Sequence, residues 1–237
     1  VIPSGYVQVR RGLVLCEGCE GEAGWLLNAG QGTGTAATEG GRGTARAHTL
    51  PDGDVAWVRS YRHGGLFGRL LGRWYFGWPS RPERELRATE AARGAGIVAP
   101  VVLAAETVRW GPLYRGRLVS RDVQDRRSLR SALLGATGAA EREAWLAALV
   151  RDVMRLHRGG VYHPDLNPTN LLAAAGPGEA IAFLDFDRSR VFPHPVGGLW
   201  RRLAHRRLVR SLAKLELPGL PAGVLATLLE PVKTGKA

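Results

Sequence analysis

Short runs of alternating apolar and polar residues fill the first part of the chain, and helical spacing dominates the last. Tyr6–Arg10 and Leu13–Cys16 have the two-residue period of half-buried strands. Thr44–Leu50 and Val55–Tyr61 flank Pro51-Asp52-Gly53-Asp54, where proline and glycine supply turn geometry, so this stretch predicts a hairpin. Pro82–Arg93 has helical spacing, with a proline suited to the first turn and Gly94 to the stop. Two further strands are expected at Val98–Ala104 and Leu113–Val119. Glu141–Arg158 sets Trp145, Leu149, Val153 and Leu156 on one helical face, and Gly159-Gly160 ends it. Leu199–Leu215 predicts a last amphipathic helix, with Trp200, Leu203, Leu208, Leu212 and Leu215 along one side. Residues 28–43, rich in Gly, Ala and Thr, predict a mobile segment. The order is β-rich, one helix, more β, then helical, without an internal repeat, which is an α+β arrangement.

Composition adds a class and a sign. At 237 residues, 45% hydrophobic and 23% charged, the chain can bury a full core. The 33 Lys+Arg against 21 Asp+Glu give a net charge of +12. That excess predicts an anionic partner, whether nucleotide, nucleic acid, phosphorylated lipid or membrane surface. Cys16 and Cys19 supply two ligands where a structural zinc site needs four, so reduced thiols and a cytoplasmic setting are expected. No run reaches 18 apolar residues, which predicts a protein that does not span a membrane but can sit on one.

The chemistry concentrates in His163-Pro164-Asp165-Leu166-Asn167-Pro168-Thr169-Asn170 and in Ile181-Ala182-Phe183-Leu184-Asp185-Phe186-Asp187. The first is an H-x-D-x-x-x-x-N loop; the second is a buried strand running into D-F-D. Phosphoryl transfer from Mg-ATP needs these residue types in this order. Asp165 would take the proton of an acceptor hydroxyl, and Asn170 and Asp185 would hold magnesium, with Asp187 close by. His163 is expected to brace the loop. Arg59, on the strand Val55–Tyr61, would hold nucleotide phosphates where related enzymes use lysine, and its fork can pair bidentately. Glu85 is its expected partner, with Glu83 and Glu90 as rivals. Backbone amides approach phosphate where side chains are absent. Gly41 and Gly43 are therefore preferred for that contact over the cluster Gly30–Gly34.

Together these pieces predict a bilobed protein-kinase-like fold, with a small β-rich N-lobe over residues 1–119 and a compact helical C-lobe over 120–237. The hinge is expected near Ser120–Val123, with a nucleotide clamped between the lobes. Residues 1–39 have no assigned place.

The chain resembles the lipopolysaccharide kinase family, and most of all its branch acting on 3-deoxy-D-manno-octulosonic acid (Kdo). The resemblance covers roughly residues 40–216. It rests on Gly41-Arg42-Gly43-Thr44-Ala45, Val58–Leu66, Arg84-Glu85-Leu86, Val161–Asn167, Phe183–Arg188 and a C-terminal stretch from Trp200 to Lys214. Within these, Arg62-His63-Gly64-Gly65 and Arg210-Ser211-Leu212-Ala213-Lys214 are the more specific elements. The resemblance implies ATP and Mg2+ as cofactors and a Kdo-lipid A precursor as the glycolipid acceptor. It also implies phosphate transfer to a Kdo hydroxyl, the 4-position foremost, at the cytoplasmic face of the inner membrane.

Departures from protein kinases point the same way. Pro164 replaces an arginine that reads a phosphorylated activation loop, Asn167 replaces a lysine, and Asp187 replaces the glycine of D-F-G. The stretch after Asp187 is short for a peptide-binding platform, so no protein substrate is expected. Arg62 and Arg69, with Arg206, Arg207 and Arg210 on the last helix, are candidate contacts to the acceptor or to an anionic membrane surface. The aromatic run from Arg69 to Trp78 suits a membrane interface or the packing of the small lobe. A heptose or other small-molecule kinase is the nearest alternative. A basic drug substrate would call for an acidic acceptor site, against the net charge. A non-catalytic module binding lipid or nucleic acid would have lost at least one metal ligand, yet Asp165, Asn170 and Asp185 are all present. Nucleic acid is therefore not the expected partner.

Overall fold

The computed structural model describes residues 2–19, 35–36, 44–61, 72 and 74–217. They form two compact units, one of residues 1–89 and 100–122, the other of 90–99 and 123–237.

The first unit is built on an antiparallel sheet. Its strands are β1 (Tyr6–Arg10), β2 (Leu13–Cys16), β3 (Thr35–Ala36), β4 (Thr44–Thr49), β5 (Val55–Ser60), β6 (Tyr75–Phe76), β7 (Val102–Trp110) and β8 (Leu113–Arg121). The order across the sheet is β1-β2-β7-β8-β5-β4-β3, and β6 also pairs with β8. The two-residue period decides the core. Leu13, Leu15, Leu50, Ala56, Val58 and Val119 pack together in one cluster. Val14, Tyr75, Val102, Tyr114 and Leu118, the alternate positions, form a second cluster with Leu86 of helix α1 (Arg81–Gly94). Both clusters bury residues of β2, β7 and β8, which explains the continuous apolar runs Leu13–Cys16 in β2 and Val102–Ala105 in β7.

The N-terminal hairpin, which had no expected place, is edge structure of this sheet: β2 pairs with β7 from Leu13↔Glu106 to Leu15↔Ala104. Gly12, at φ +80, lets this pairing close, since a Cβ there would lie 2.1 Å from the Thr107 carbonyl oxygen. Helix α1 starts on a capping box. The Ser80 amide donates to Glu83 Oε2 at 2.8 Å and the Glu83 amide to Ser80 Oγ at 3.4 Å.

One expectation shifts here. The strand expected at Val98–Ala104 is β7, which begins at Val102 and runs on to Trp110. Pro100 has no N–H for the ladder, while Glu106, a polar residue within the strand, is matched by Arg117 at 2.7 Å and Arg10 at 3.0 Å. The division of the chain falls after Asp122. The Asp122 amide still donates to Val55 at 2.7 Å, and Trp57 Nε1 to its carboxylate at 2.9 Å. Residues 90–99 belong with the second unit, where the Phe183 amide donates to the Val98 carbonyl at 2.9 Å.

The second unit packs α2 (Leu129–Leu134), α3 (Ala139–Arg158) and α4 (Gly198–Ala213) with short strands. These are β9 (Arg127–Ser128), β10 (Val161–Tyr162), β11 (Leu171–Ala173), β12 (Ala182–Phe183) and β13 (Arg190–Val191). Trp145, Leu149, Val153 and Leu156 of α3 are fully buried. Asp152 on the same helix is buried as well, and accepts from the Ile181 amide at 2.8 Å and from Arg151 Nε at 2.9 Å. It ties the helix to the segment entering β12. On α4 the buried strip is Ala204, His205, Leu208 and Leu212, whereas Leu199 and Leu203 are exposed. The expected stripe was therefore displaced by one position at Leu203, because His205 faces inward to meet His157.

These two imidazoles lie with centroids 5.1 Å apart, His205 Nε2 being 3.3 Å from His157 Nδ1. Burial, then the neighbouring His205, depress His157 from 6.5 to about 3. Between those values the unfolded chain binds a proton that the folded chain refuses. Stability from this site is thus complete above pH 6.5 and is lost as pH falls from 6.5 toward about 3. The expected loss is about 1.4 kcal/mol per pH unit. Urea unfolding at a series of pH values should show this slope, and His157→Gln should flatten it.

Candidate active site

In the second unit, the turn after β10 is organised around one buried side chain. His163 is fully buried. Its Nδ1 accepts from the Asp165 amide at 3.2 Å, and its Nε2 lies 2.9 Å from the Leu184 carbonyl. An amide N–H requires a bare Nδ1, so Nε2 carries the proton and donates to Leu184. Burial, the largest influence, pushes the imidazole below its ordinary pKa. A neutral ring of one tautomer therefore joins the residue after Pro164 to the residue before Asp185. The Phe186 ring packs on it at 5.1 Å.

The rest of the loop is wound by its amides. Asn167 Oδ1 accepts from the Thr169 amide at 2.9 Å and the Asn170 amide at 3.1 Å, an Asx-type turn favoured before Pro168. The Asn167 and Asn170 side-chain amides both donate to the Asp165 carbonyl at 3.2 Å. The Leu184 amide donates to the Asn170 carbonyl at 2.9 Å, and β11 pairs with β12 through Leu171↔Phe183. These bonds bring Asp165, Asn170 and Asp185 together at one end of a short antiparallel pair. Asp185 has φ 62, a left-handed conformation uncommon outside glycine.

Arg207 of α4 reaches this group and donates from Nη2 to Asp165 Oδ1. Arg206 and Arg210 are exposed on the same helix. Three arginines that read as one basic cluster are therefore divided between the Asp165 carboxylate and the surface. The signal that could have separated them is the helical period, since Leu208 and Ala204 are buried and Arg207 borders them.

In the first unit, Arg59 of β5 bonds Glu85 Oε1 on α1, and the Tyr61 hydroxyl donates to Glu85 Oε2. Glu85 is buried, and Arg59 is 29% exposed. Of the rival acids, Glu83 is committed to the capping box and Glu90 pairs with Arg93 at 3.4 Å. Tyr61 is a member of this site that sequence reasoning passed over. Its period-two position beside Arg59 was the available signal. Arg81 lies over the Tyr61 ring at 5.0 Å and the Tyr75 ring at 4.8 Å. Gly41, Gly43, Arg62 and Arg69 lie outside the described residues, as does the Gly30–Gly34 cluster.

A cation held by a buried carboxylate in a sheet, and an H-x-D-x-x-x-x-N loop beside a D-F-D turn, form the chemical set of a kinase-like phosphotransferase. The lipopolysaccharide kinase (Kdo/WaaP) family model matches residues 30–220. The 3-deoxy-D-manno-octulosonic acid kinase of Vibrio cholerae serotype O1 is 33% identical over 177 residues, 73% of this chain and 72% of the relative. That of Stenotrophomonas maltophilia R551-3 is 35% identical over 182 residues, 75% and 69% respectively. The chain belongs to the lipopolysaccharide kinase (Kdo/WaaP) family. A solved structure described as WaaP in complex with acyl carrier protein is 17% identical, with a TM-score of 0.66 over 92% of this chain and 86% of that one. It gives this lipopolysaccharide kinase the same α+β kinase-like fold. The enzyme class that goes with membership is an ATP-dependent sugar kinase.

Glu85 holds Arg59 and Tyr61 together in the first unit, and its removal tests the pair directly. Glu85→Ala should lower the free energy of unfolding by about 3 kcal/mol, the range for stranding one member of a mostly buried ion pair. Glu85→Gln should cost less, because Tyr61 keeps an acceptor. Urea denaturation of the three proteins gives both differences.

Proposed function

We propose that this enzyme transfers the γ-phosphate of ATP to a hydroxyl of Kdo, the 4-hydroxyl foremost, on a Kdo-lipid A precursor during lipopolysaccharide core synthesis. It would do so as a peripheral protein at the cytoplasmic face of the inner membrane. The relatives named above are Kdo kinases, and that supports the sugar. The observation that carries the reading within this chain is Arg207. A guanidinium placed on the proposed base suits an acceptor that brings a carboxylate of its own close to the reacting hydroxyl, as an acidic sugar does. A neutral heptose offers it no such partner.

The proposed chemistry follows from the residues. Asp165 accepts the acceptor hydroxyl proton as its oxygen bonds to the γ-phosphorus and the bond to the β–γ bridging oxygen breaks, releasing ADP. Arg207 leaves Asp165 Oδ1 for the acceptor carboxylate, which frees the base only when substrate is present. Arg59, steadied by Glu85 and Tyr61, holds nucleotide phosphate oxygens, with Gly41 and Gly43 as the proposed backbone contacts. His163 stays neutral and holds Asp165 in place. Asn170 and Asp185 offer hard oxygen donors of the kind magnesium takes along with phosphates and water. Magnesium, when bound, draws charge from the phosphate oxygens. Among the described residues no helix is long and apolar enough to cross a membrane, so attachment would be by surface, with exposed Arg206 and Arg210 as proposed contacts.

Three substitutions test this reading. Asp185→Asn keeps a side chain that tolerates φ 62 while removing the charge, and should abolish magnesium-dependent turnover with the fold retained by circular dichroism. Asp165→Asn should reduce turnover about a hundredfold or more, with nucleotide binding largely kept. If nucleotide affinity fell equally, Asp165 would be a binding residue instead. Arg207→Ala should raise KM for the Kdo acceptor at least tenfold and leave KM for ATP unchanged. Mass spectrometry of the labelled glycolipid locates the phosphate, and phosphate on heptose would move the acceptor assignment.

A further inference from the structure

Three large rings stand out of the first unit at one place. Phe76 is 77% exposed, Trp78 74% and Trp110 73%. Trp110 opens the β7–β8 turn, where Gly111 has φ 56, and β6 is stitched to the same turn through Phe76↔Leu113. The Gly77 amide donates to the Pro112 carbonyl at 3.2 Å. Arg109 completes the knot: its Nη1 donates to the Gly77 carbonyl at 3.1 Å, and its guanidinium covers the Trp78 ring at 3.8 Å. The rings are thus displayed on hydrogen-bonded backbone rather than on a loose loop. Nearby, Arg115 lies over the Trp74 ring at 5.8 Å.

Beside this tip lies a groove of about 660 Å3 whose lining includes Trp78 and Arg109. Four arginines line it: Arg10 and Arg109, which pair with Glu106 and Glu83, and Arg11 and Arg87 beyond them. An exposed apolar tip next to a basic hollow matches the layering of an anionic bilayer, with hydrocarbon boundary against one and phosphate headgroups against the other. Tryptophan is the ring suited to that boundary, since its indole N–H finds partners among headgroups. Arginine stacked on such a ring keeps its charge at headgroup depth. Neither feature is used by the site residues above.

We propose that the β6 and β7–β8 tip is the membrane-seating surface of this enzyme, with Phe76, Trp78 and Trp110 entering the interface of an anionic bilayer and the adjoining arginine groove taking lipid phosphates. The inference rests on the reading that the acceptor is a membrane glycolipid, and it adds to the charged contacts proposed for Arg206 and Arg210 of α4 an apolar one on the first unit.

The test is flotation of the full chain with vesicles of phosphatidylglycerol and phosphatidylethanolamine, and with neutral phosphatidylcholine vesicles. The triple variant Phe76→Ser, Trp78→Ser and Trp110→Ser is compared with Arg206→Glu, Arg210→Glu. The tip variant should bind anionic vesicles at least tenfold more weakly than the native chain, at both low and high salt. The α4 variant should lose binding only at low salt, because charge attraction alone is screened. A parallel assay with detergent-solubilised glycolipid should show unchanged turnover for the tip variant, whose single changes also serve should the triple fail to fold. Unaltered vesicle binding by the folded tip variants, no binding of the native chain to anionic vesicles, or equal binding to neutral ones would overturn the proposal. Tip-dependent vesicle binding by a chain that fails to phosphorylate the solubilised glycolipid would uphold this surface and sink the acceptor assignment instead.

Discussion

One buried imidazole sets the geometry on which the chemistry depends. His163 is spanned by two backbone groups, the Asp165 amide on one nitrogen and the Leu184 carbonyl on the other. A charged ring could not accept from the amide, and an apolar residue would leave both backbone groups unsatisfied in the core. The neutral ring is therefore a strut whose length is that of an imidazole, holding the start of the loop against the residue that precedes Asp185. Asn167 and Asn170 then wind the intervening residues with amide hydrogen bonds. The carboxylates need no contact with each other to be brought together.

Much of this was legible because it is local. The two-residue period set β1, β2, β5 and β8 almost to the residue, and the 3.6-residue period located α1 and α3. H-x-D-x-x-x-x-N and D-F-D marked the loop because their order is the one that phosphoryl transfer from Mg-ATP needs. What the pattern concealed is tertiary. Glu106 reads as a polar interruption, yet Arg10 and Arg117 satisfy it from neighbouring strands, so β7 continues through it. Leu203 reads as core, but inward-facing His205 shifts the buried strip of α4 by a position. Arg207 reads as one basic residue among several, since nothing local ties it to a carboxylate 42 positions earlier.

Arginine explains why composition could name a sign but not a partner. Arg59 meets Glu85, Arg117 and Arg10 meet Glu106, Arg121 meets Asp52 and Asp54, and Arg151 meets Asp152. Part of the basic content is thus matched by acids of the fold, where a guanidinium holds neighbouring elements in register. The charge available to a partner is what these pairs leave over. It is concentrated by the fold into hollows such as that between Arg11 and Arg87, not spread in proportion to the net charge.

The start of α1 carries a constraint of a different kind. Ser80 and Glu83 close the capping box, and Glu85 follows two residues later to face Arg59 and Tyr61. Successive helical residues are separated by about 100° around the axis. A single residue inserted or deleted between Glu83 and Glu85 would leave the cap intact and aim the second carboxylate away from the sheet. Exchange of side chains on the outer face of this turn is tolerable in principle, whereas a change in its length is not.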